Sequence, residues 1–567
     1  MAGKVLTGRK AAVGIIIALT AWSETAMGAP AVVPPLDAGT LSSDERNNAV
    51  ELPGLGDGSA AIAVPEQEKP ELSMAGEVKI NVTGFRITGQ DIYAEKDLQQ
   101  LLKEYQGRMV AFKELQAGAD KLTAYFRQHG YLMARAYLPA QKINNGIVEY
   151  TIVVGRLGTV KVENKTKIHD YIVNRELGFM KPGEYLNRKK LERAVWLLSD
   201  LAGANARAKL SPGEQYGTVN VQIELAPHKG KCGAITGDNY GNRYTNYNTY
   251  GLSYDILNPE HEGGQLAVAG NMTGEELYSY NVNYSLPVLH DGWKASLGYN
   301  MLSYHLGDIY RPLEAYGTSR TLTAGLEYAM VRSQYRNVYA GLHYEHTTLA
   351  DEIRVTDSCV RKYSHGVVAS LYGEQPVSRG VSSWRMDYKW GTLGFRDEAG
   401  RTQDKLAQTA GTFHKMRLNW QHFERLPHKF NLLLSARGQV ASHNLDSSEH
   451  FSLGGATGVR AYPASEASGD TGYLLRAELR YPVWQKDKNQ VQLAGFFDHG
   501  GVKIERHHQG NGENYRCLQG AGIGALLTRS DECFLRVDYA WPIGAEQPRN
   551  DRHNSSGHLW LRGGIYF

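Results

Sequence analysis

At 567 residues the chain is too long for one ordinary domain, and its formal charge of +3 with a pI near 8.4 singles out no nucleic-acid partner. No stretch beyond the N-terminus reaches the ~18 uninterrupted apolar residues of a membrane helix, so helical spans are excluded. Yet 34 tyrosines, 62 glycines and a mean hydropathy of −0.42 fit a barrel whose strands are apolar on one face only.

Lys4, Arg9 and Lys10 form a basic head before the apolar run Ala11 to Trp22. Ala26-Met27-Gly28 then places small residues at signal-peptidase spacing, so residues 1–28 are expected to be a cleaved secretory signal. The competing reading, a membrane anchor, needs about 20 apolar residues, and the run is shorter. Residues 29–75 are rich in Pro, Gly, Ala, Ser and acids and are expected to be a linker. A short helix is conceivable from Ser43 to Leu52, where apolar positions are sparse; residues 40–52 are a candidate plug.

From Val78 the texture changes. Val78, Ile80 and Val82 alternate with polar residues, and Phe85 and Ile87 continue in the other phase. Leu98, Leu101, Leu102 and Tyr105 follow at helical spacing, then Leu115, Ala119, Leu122 and Phe126 on one helix face. Gly130 stops that helix, and strands are expected over Tyr131 to Pro139 and Ile147 to Val154. The order β-α-α-β-β recurs from Gly158 to Pro227, with a helix from His169 to Leu177 and a second carrying Leu191, Val195, Leu198 and Ala202. Two such units in series, 76–156 and 157–227, are an internal repeat.

Over 229–567 helical periodicity gives way to segments of strict alternation. Tyr278, Tyr280, Val282, Tyr284 and Leu286 share one face, and Ser279, Asn281, Asn283 and Ser285 the other. Trp384, Met386, Tyr388 and Trp390 oppose Arg385, Asp387 and Lys389 in the same way. A soluble sandwich would also alternate. Aromatics near the ends of the apolar face and charges along the middle of the other favour a membrane barrel with a wet lumen. Such a sheet must close, because lipid cannot satisfy an open edge. About 340 residues at about 20 per strand and connection allow about 16 antiparallel strands.

Four cysteines, Cys232, Cys359, Cys517 and Cys533, match no zinc spacing, and their disulfide pairing is left open. No metal or cofactor is expected. No Gly-x-Ser-x-Gly or His-Glu-x-x-His occurs and no nucleotide-binding loop, so neither an enzyme nor an ATP-driven step is expected.

Signal, linker, two α+β units and a C-terminal barrel together resemble the two-partner secretion outer-membrane transporters, the TpsB family of hemolysin and hemagglutinin secretion-activation proteins. The two units resemble POTRA domains. Gly130-Tyr131 with Tyr137-Leu138-Pro139-Ala140-Gln141 resembles the helix-to-strand passage of the first POTRA, and Asp238 to Thr245 the opening barrel strand. Gly458-Val459-Arg460-Ala461-Tyr462-Pro463 is similar to the tip of the long extracellular loop that folds back into the barrel. The commoner motif has Gly where Ala461 stands, which puts the backbone shape of the tip in question, since Gly tolerates positive φ and Ala does not readily. Phe496-Phe497-Asp498-His499-Gly500 matches Phe-x-Asp-x-Gly. Strand parity turns Phe496, Asp498 and Gly500 inward, and Arg460 is the expected partner of Asp498 because its fork can take a carboxylate bidentately. The resemblance implies that this pair tethers the inward loop.

His558 to Phe567 alternates Leu559, Leu561, Gly563, Ile565 and Phe567. Ending on an aromatic, it resembles the signal read by the bacterial barrel-assembly machinery. The resemblance implies a bacterial outer-membrane protein with periplasmic POTRAs, set in outer-membrane lipid. It would secrete an unfolded, β-helical exoprotein of adhesin or hemolysin type by type V secretion. The alternative is an assembly factor that inserts other barrels; bacterial insertases usually carry more POTRAs than two. A passive porin would leave the two periplasmic units unexplained.

Overall fold

Period-two alternation with one lipid-compatible face can be satisfied only by a closed sheet. The computed structural model describes residues 36–48, 62–63, 79–228, 230–274, 276–508, 512–530, 532–551 and 556–567. The expected signal peptide, 1–28, lies outside the described residues, as does most of the 29–75 linker. Among the described residues, sixteen antiparallel strands close a barrel from Gly233–Asp238 to His558–Tyr566. The closing pair sets Ala234 opposite Tyr566 and Asp238 opposite Arg562. The parity expected from sequence holds: Tyr388 and Trp390 are 47% and 58% exposed on the outer face, while Asp387 and Lys389 are buried inside. No helix among the described residues is long and apolar enough to cross a membrane.

The first periplasmic unit has helices Glu95–Leu101 and Phe112–Gln128 against a three-stranded sheet of Gly84–Thr88, Ile147–Val153 and Arg135–Tyr137. Leu98, Leu115, Ala119, Leu122 and Phe126 are buried on it, as their spacing predicts. One element escaped the periodicity: Arg108–Ala111 is a strand pairing with Lys79–Val82, too short at four residues to show alternation. In the second unit, strands Arg156–Asn164, Thr218–Pro227 and Ala204–Pro212 carry helices Asp170–Glu176 and Arg188–Ser199. Ala202 falls beyond the second helix, which stops at Ser199. The two units share packing, since Met133 of the first lies in the core of the second and Arg188 N donates to Gly130 O at 2.7 Å.

The second unit is fastened to the periplasmic mouth. Arg193 Nε donates to Asp291 Oδ1 at 2.6 Å, and Arg332 takes both oxygens of Asp200 at 2.7 and 2.5 Å. Gly292 N donates to Glu176 Oε2 at 2.9 Å; burial, the largest influence on that carboxyl, pushes its pKa up. Within the linker, Ile62–Ala63 adds a parallel strand to the edge of the second unit, opposite Ala208 and Lys209.

Candidate functional site: the inward loop and the lumenal helix

Residues 442–470, between strands Asn431–Ala441 and Thr471–Lys486, turn back into the barrel from its extracellular end. Their apolar side chains, Leu453, Val459, Ala461, Tyr462 and Ala467, join Phe496, Leu474, Leu518 and Ala540 of the wall in one buried cluster. Val459 N donates to Leu453 O at 2.7 Å and Tyr462 N to Val459 O at 3.1 Å, which folds the tip into a tight turn.

At that tip Arg460 is 1% exposed. Its Nε and Nη2 donate to Asp498 Oδ2 and Oδ1 at 2.8 and 2.9 Å, and its backbone N–H donates to Asp498 Oδ2 at 3.2 Å. Nη1 reaches Glu478 Oε2 at 2.7 Å and Asp538 Oδ2 at 3.2 Å. The guanidinium also lies over the Phe496 ring, 3.4 Å from its centroid. Trp560 Nε1 closes the site by donating to Arg460 O at 2.6 Å. Three wall carboxylates would be costly to bury unpaired, and Arg476, Arg480 and Arg536 share them: Arg536 Nη2 lies 2.7 Å from Glu478 and Arg476 Nε 3.3 Å from Asp498. Sequence parity names Asp498 for Arg460; the same alternation turns Asp538 inward, but nothing local says that Glu478 and Asp538, from other strands, converge on Arg460.

Wall glycines make the approach possible. A Cβ at Gly500 would overlap Leu453, one at Gly522 the Phe496 ring, and one at Gly520 the Ala461 methyl. Ala461 itself has no positive φ, which answers the question that its replacement of Gly raised about the tip's backbone. The tip needs space at this position rather than left-handed backbone, and Gly520 across the gap supplies it.

Further up, Arg516 binds Glu466 Oε1 at 2.8 Å and Glu546 Oε1 at 2.7 Å, while Glu466 also accepts the Arg549 and Asn550 backbone N–H groups. Glu449 of the loop meets Lys389 and Lys415 at 2.6 and 2.5 Å.

A second element shares the lumen. Helix Ala38–Asn48 starts five residues before the Ser43 expected from sequence. Asp37 sets the start: its Oδ1 accepts from Thr40 N at 2.9 Å, the contact of an N-cap. Leu36, Ala38 and Leu41 pack against Leu277, Leu302, Tyr304 and Leu349 of the wall, and the rest of the helix binds by polar contacts. Ala38 N donates to Asp351 Oδ1 at 2.8 Å, and Asp44 accepts from Ser452 at 3.0 Å. Glu45 accepts from Ser279 at 3.0 Å and Asn271 at 3.1 Å, and Arg46 donates to Ser448 O at 2.9 Å. Gly39 lies so close to the loop that a Cβ there would come within 2.5 Å of Ser448 N. Toward the periplasm the lumen keeps a polar cavity of about 420 Å³ lined by Asn283, Lys294, Glu327, Glu345, Arg385 and Asp387.

The family model described as "Haemolysin secretion/activation protein ShlB/FhaC/HecB" matches residues 217–527, more than half of the chain. The chain belongs to this family. A second model, "POTRA domain, ShlB-type", matches residues 80–155. Among curated relatives, the heme/hemopexin transporter protein HuxB of Haemophilus influenzae is 25% identical over 475 residues, covering 82% of this chain and 83% of HuxB. The outer membrane transporter CdiB of Dickeya dadantii is 22% identical, covering 81% of this chain and 82% of CdiB. Among solved structures, CdiB from Escherichia coli superimposes with a TM-score of 0.69 at 18% identity, covering 88% of this chain and 93% of CdiB. This ShlB-type chain is an outer-membrane transporter of the two-partner secretion class, its POTRA region periplasmic. Relatives in this family are transporters and secretion channels rather than enzymes.

The C-terminal residues named from sequence lie on the last strand. Leu559, Ile565 and Phe567 are exposed on the outer face and Leu561 is half-buried. Phe567 stacks on Tyr254 with centroids 6.0 Å apart, and its backbone N–H donates to Gly233 O at 3.0 Å across the closing seam. The four cysteines are unbridged. Among the described residues no cluster of His, Cys, Asp or Glu is arranged to hold a metal.

Proposed function

We propose that this transporter recognises an unfolded exoprotein through its POTRA domains and threads it through the barrel. The observation that carries the reading is the character of the lumen. Its obstructions, the inward loop and the helix Ala38–Asn48, are held by hydrogen bonds and ion pairs, which water or a passing chain can replace in turn, beside small apolar clusters around Val459 and Leu41. Arg460 and Asp498, with Val459, Ala461, Tyr462, Phe496 and Gly500, form the tether of the loop. Leu559, Leu561, Ile565 and Phe567 serve barrel assembly.

The exoprotein docks by adding a strand to an open sheet edge, main-chain hydrogen bonds giving affinity. The edge Ala204–Pro212 is already met by Ile62–Ala63, so a client strand there displaces the linker. Such displacement would pull on the lumenal helix, which lies upstream in the same segment. Folding outside the cell makes the passage directional.

The test is co-expression with an exoprotein gene adjacent to this one. Exoprotein in the medium when both are made, and in the periplasm when this chain is omitted, is the expected result. Equal release without the chain would overturn the reading.

A further inference from the structure

Most of the outward wall is apolar, as lipid requires. Three neighbouring strands depart from this at their extracellular ends. On Ala315–Arg332 the outward row Leu326, Ala324, Leu322 changes to Arg320 and Thr318. On Asn337–Ile353, Leu342 and Tyr344 give way to His346, Thr348 and Ala350. On Ser358–Val377, Ala369 and Val367 give way to His365, Tyr363 and Arg361. The registers Leu322 to His346 to His365 and Arg320 to Thr348 to Tyr363 set the change at one level across all three strands.

The patch is cationic and only partly compensated. Arg320 and Arg361 are exposed, and neither side chain meets a carboxylate among the described residues. Arg396 lies over the Tyr363 ring at 5.8 Å. Arg354 lies over Tyr316 at 4.0 Å and is offset by Glu352 at 3.7 Å. Beside them Ser303, Thr318 and Ala350, with Glu276, Glu352 and Arg354, line a cleft of about 320 Å³ between Tyr278 and Tyr316. A cation on the lipid face costs roughly 2–4 kcal/mol at the midplane and about 0–1 near the interface, so these arginines fit the headgroup level. There the groups that face them are lipid phosphates, which arginine binds bidentately. Arg320 and Arg361 stand two strands apart, about 10 Å sideways and roughly 7 Å along the strand. A headgroup with more than one phosphate spans that distance.

We propose that this outward face binds a phosphorylated glycolipid of the outer leaflet, its phosphates on Arg320 and Arg361 and its acyl chains along Leu322, Leu326 and Val367. The inference rests on the outer-membrane location alone and not on what the barrel secretes.

The test is native mass spectrometry of the detergent-purified full chain with added lipid A carrying both phosphates, its dephosphorylated form, or inorganic phosphate. Wild type is expected to retain the bisphosphorylated lipid. The variant Arg320→Gln/Arg361→Gln, verified as a folded barrel by heat-modifiable gel mobility, should bind it about tenfold or more weakly, the worth of one charge-assisted contact. Thr318→Trp, which fills the cleft without touching charge, should also weaken it and serves if the arginine variant does not assemble. Equal binding of the dephosphorylated lipid, full displacement by millimolar inorganic phosphate, or unchanged affinity in a folded variant would each overturn the proposal.

Discussion

Arg460 holds both oxygens of Asp498 with its guanidinium and donates its own backbone N–H to the same carboxylate. Side chain and backbone of the loop tip are therefore fixed by one wall residue. At 1% exposure for each partner the contact is dry, so salt screens it little.

Arg460→Ala removes the cation that Asp498, Glu478 and Asp538 share, and Asp498→Ala leaves Arg460 two carboxylates. Breaking a buried pair from one side costs about 3–5 kcal/mol, so Arg460→Ala should depress secretion strongly and Asp498→Ala less. The double variant should be little worse than Arg460→Ala alone. Secretion assays on the three variants, with barrel assembly checked by heat-modifiable mobility, decide it; losses that simply multiply would end the tether account.

Gly520 and Ala461 are a complementary pair. Gly520→Ala adds a methyl where Ala461 already has one, an overpacking of about 1–3 kcal/mol that should loosen the tip and lower secretion. The second change Ala461→Gly should restore it. Failure of that rescue, measured as exoprotein in the medium, would show that Gly520 acts otherwise.

Gly39→Val places a branched side chain against the backbone of Ser448 and should expel the helix from the lumen. The expected readout is a larger single-channel conductance in planar bilayers and greater sensitivity to bulky antibiotics, with assembly unchanged. Wild-type conductance from a folded variant would mean that the helix does not obstruct the pore.

Deleting residues 77–155 should abolish secretion yet leave the barrel inserted, because the sheet closes within Gly233 to Tyr566. The deletion also strips Met133 from the core of the second unit, so that unit should become protease-sensitive. Normal export by the truncated chain would sink the docking role of the first unit.

Alternation along Tyr278 to Leu286 and Trp384 to Trp390 was enough to make the barrel, its inward and outward faces and its strand number legible in sequence, because a period of two leaves no choice of face once one side must meet lipid. The same parity turned Asp498 inward, and the helical spacing of Leu115, Leu122 and Phe126 gave the POTRA core. Tertiary structure alone decided what meets Arg460 besides Asp498, since Glu478, Asp538 and Trp560 reach it from strands up to 100 residues away. It also decided that Ala461 is accommodated by the absence of a side chain at Gly520, a fact about volume across a gap. The lumenal helix Ala38–Asn48 was nearly invisible to periodicity for a related reason: Ala38 and Leu41 meet an apolar part of the wall, but its later partners are polar groups of the wall and loop, so it carries no continuous apolar stripe to read.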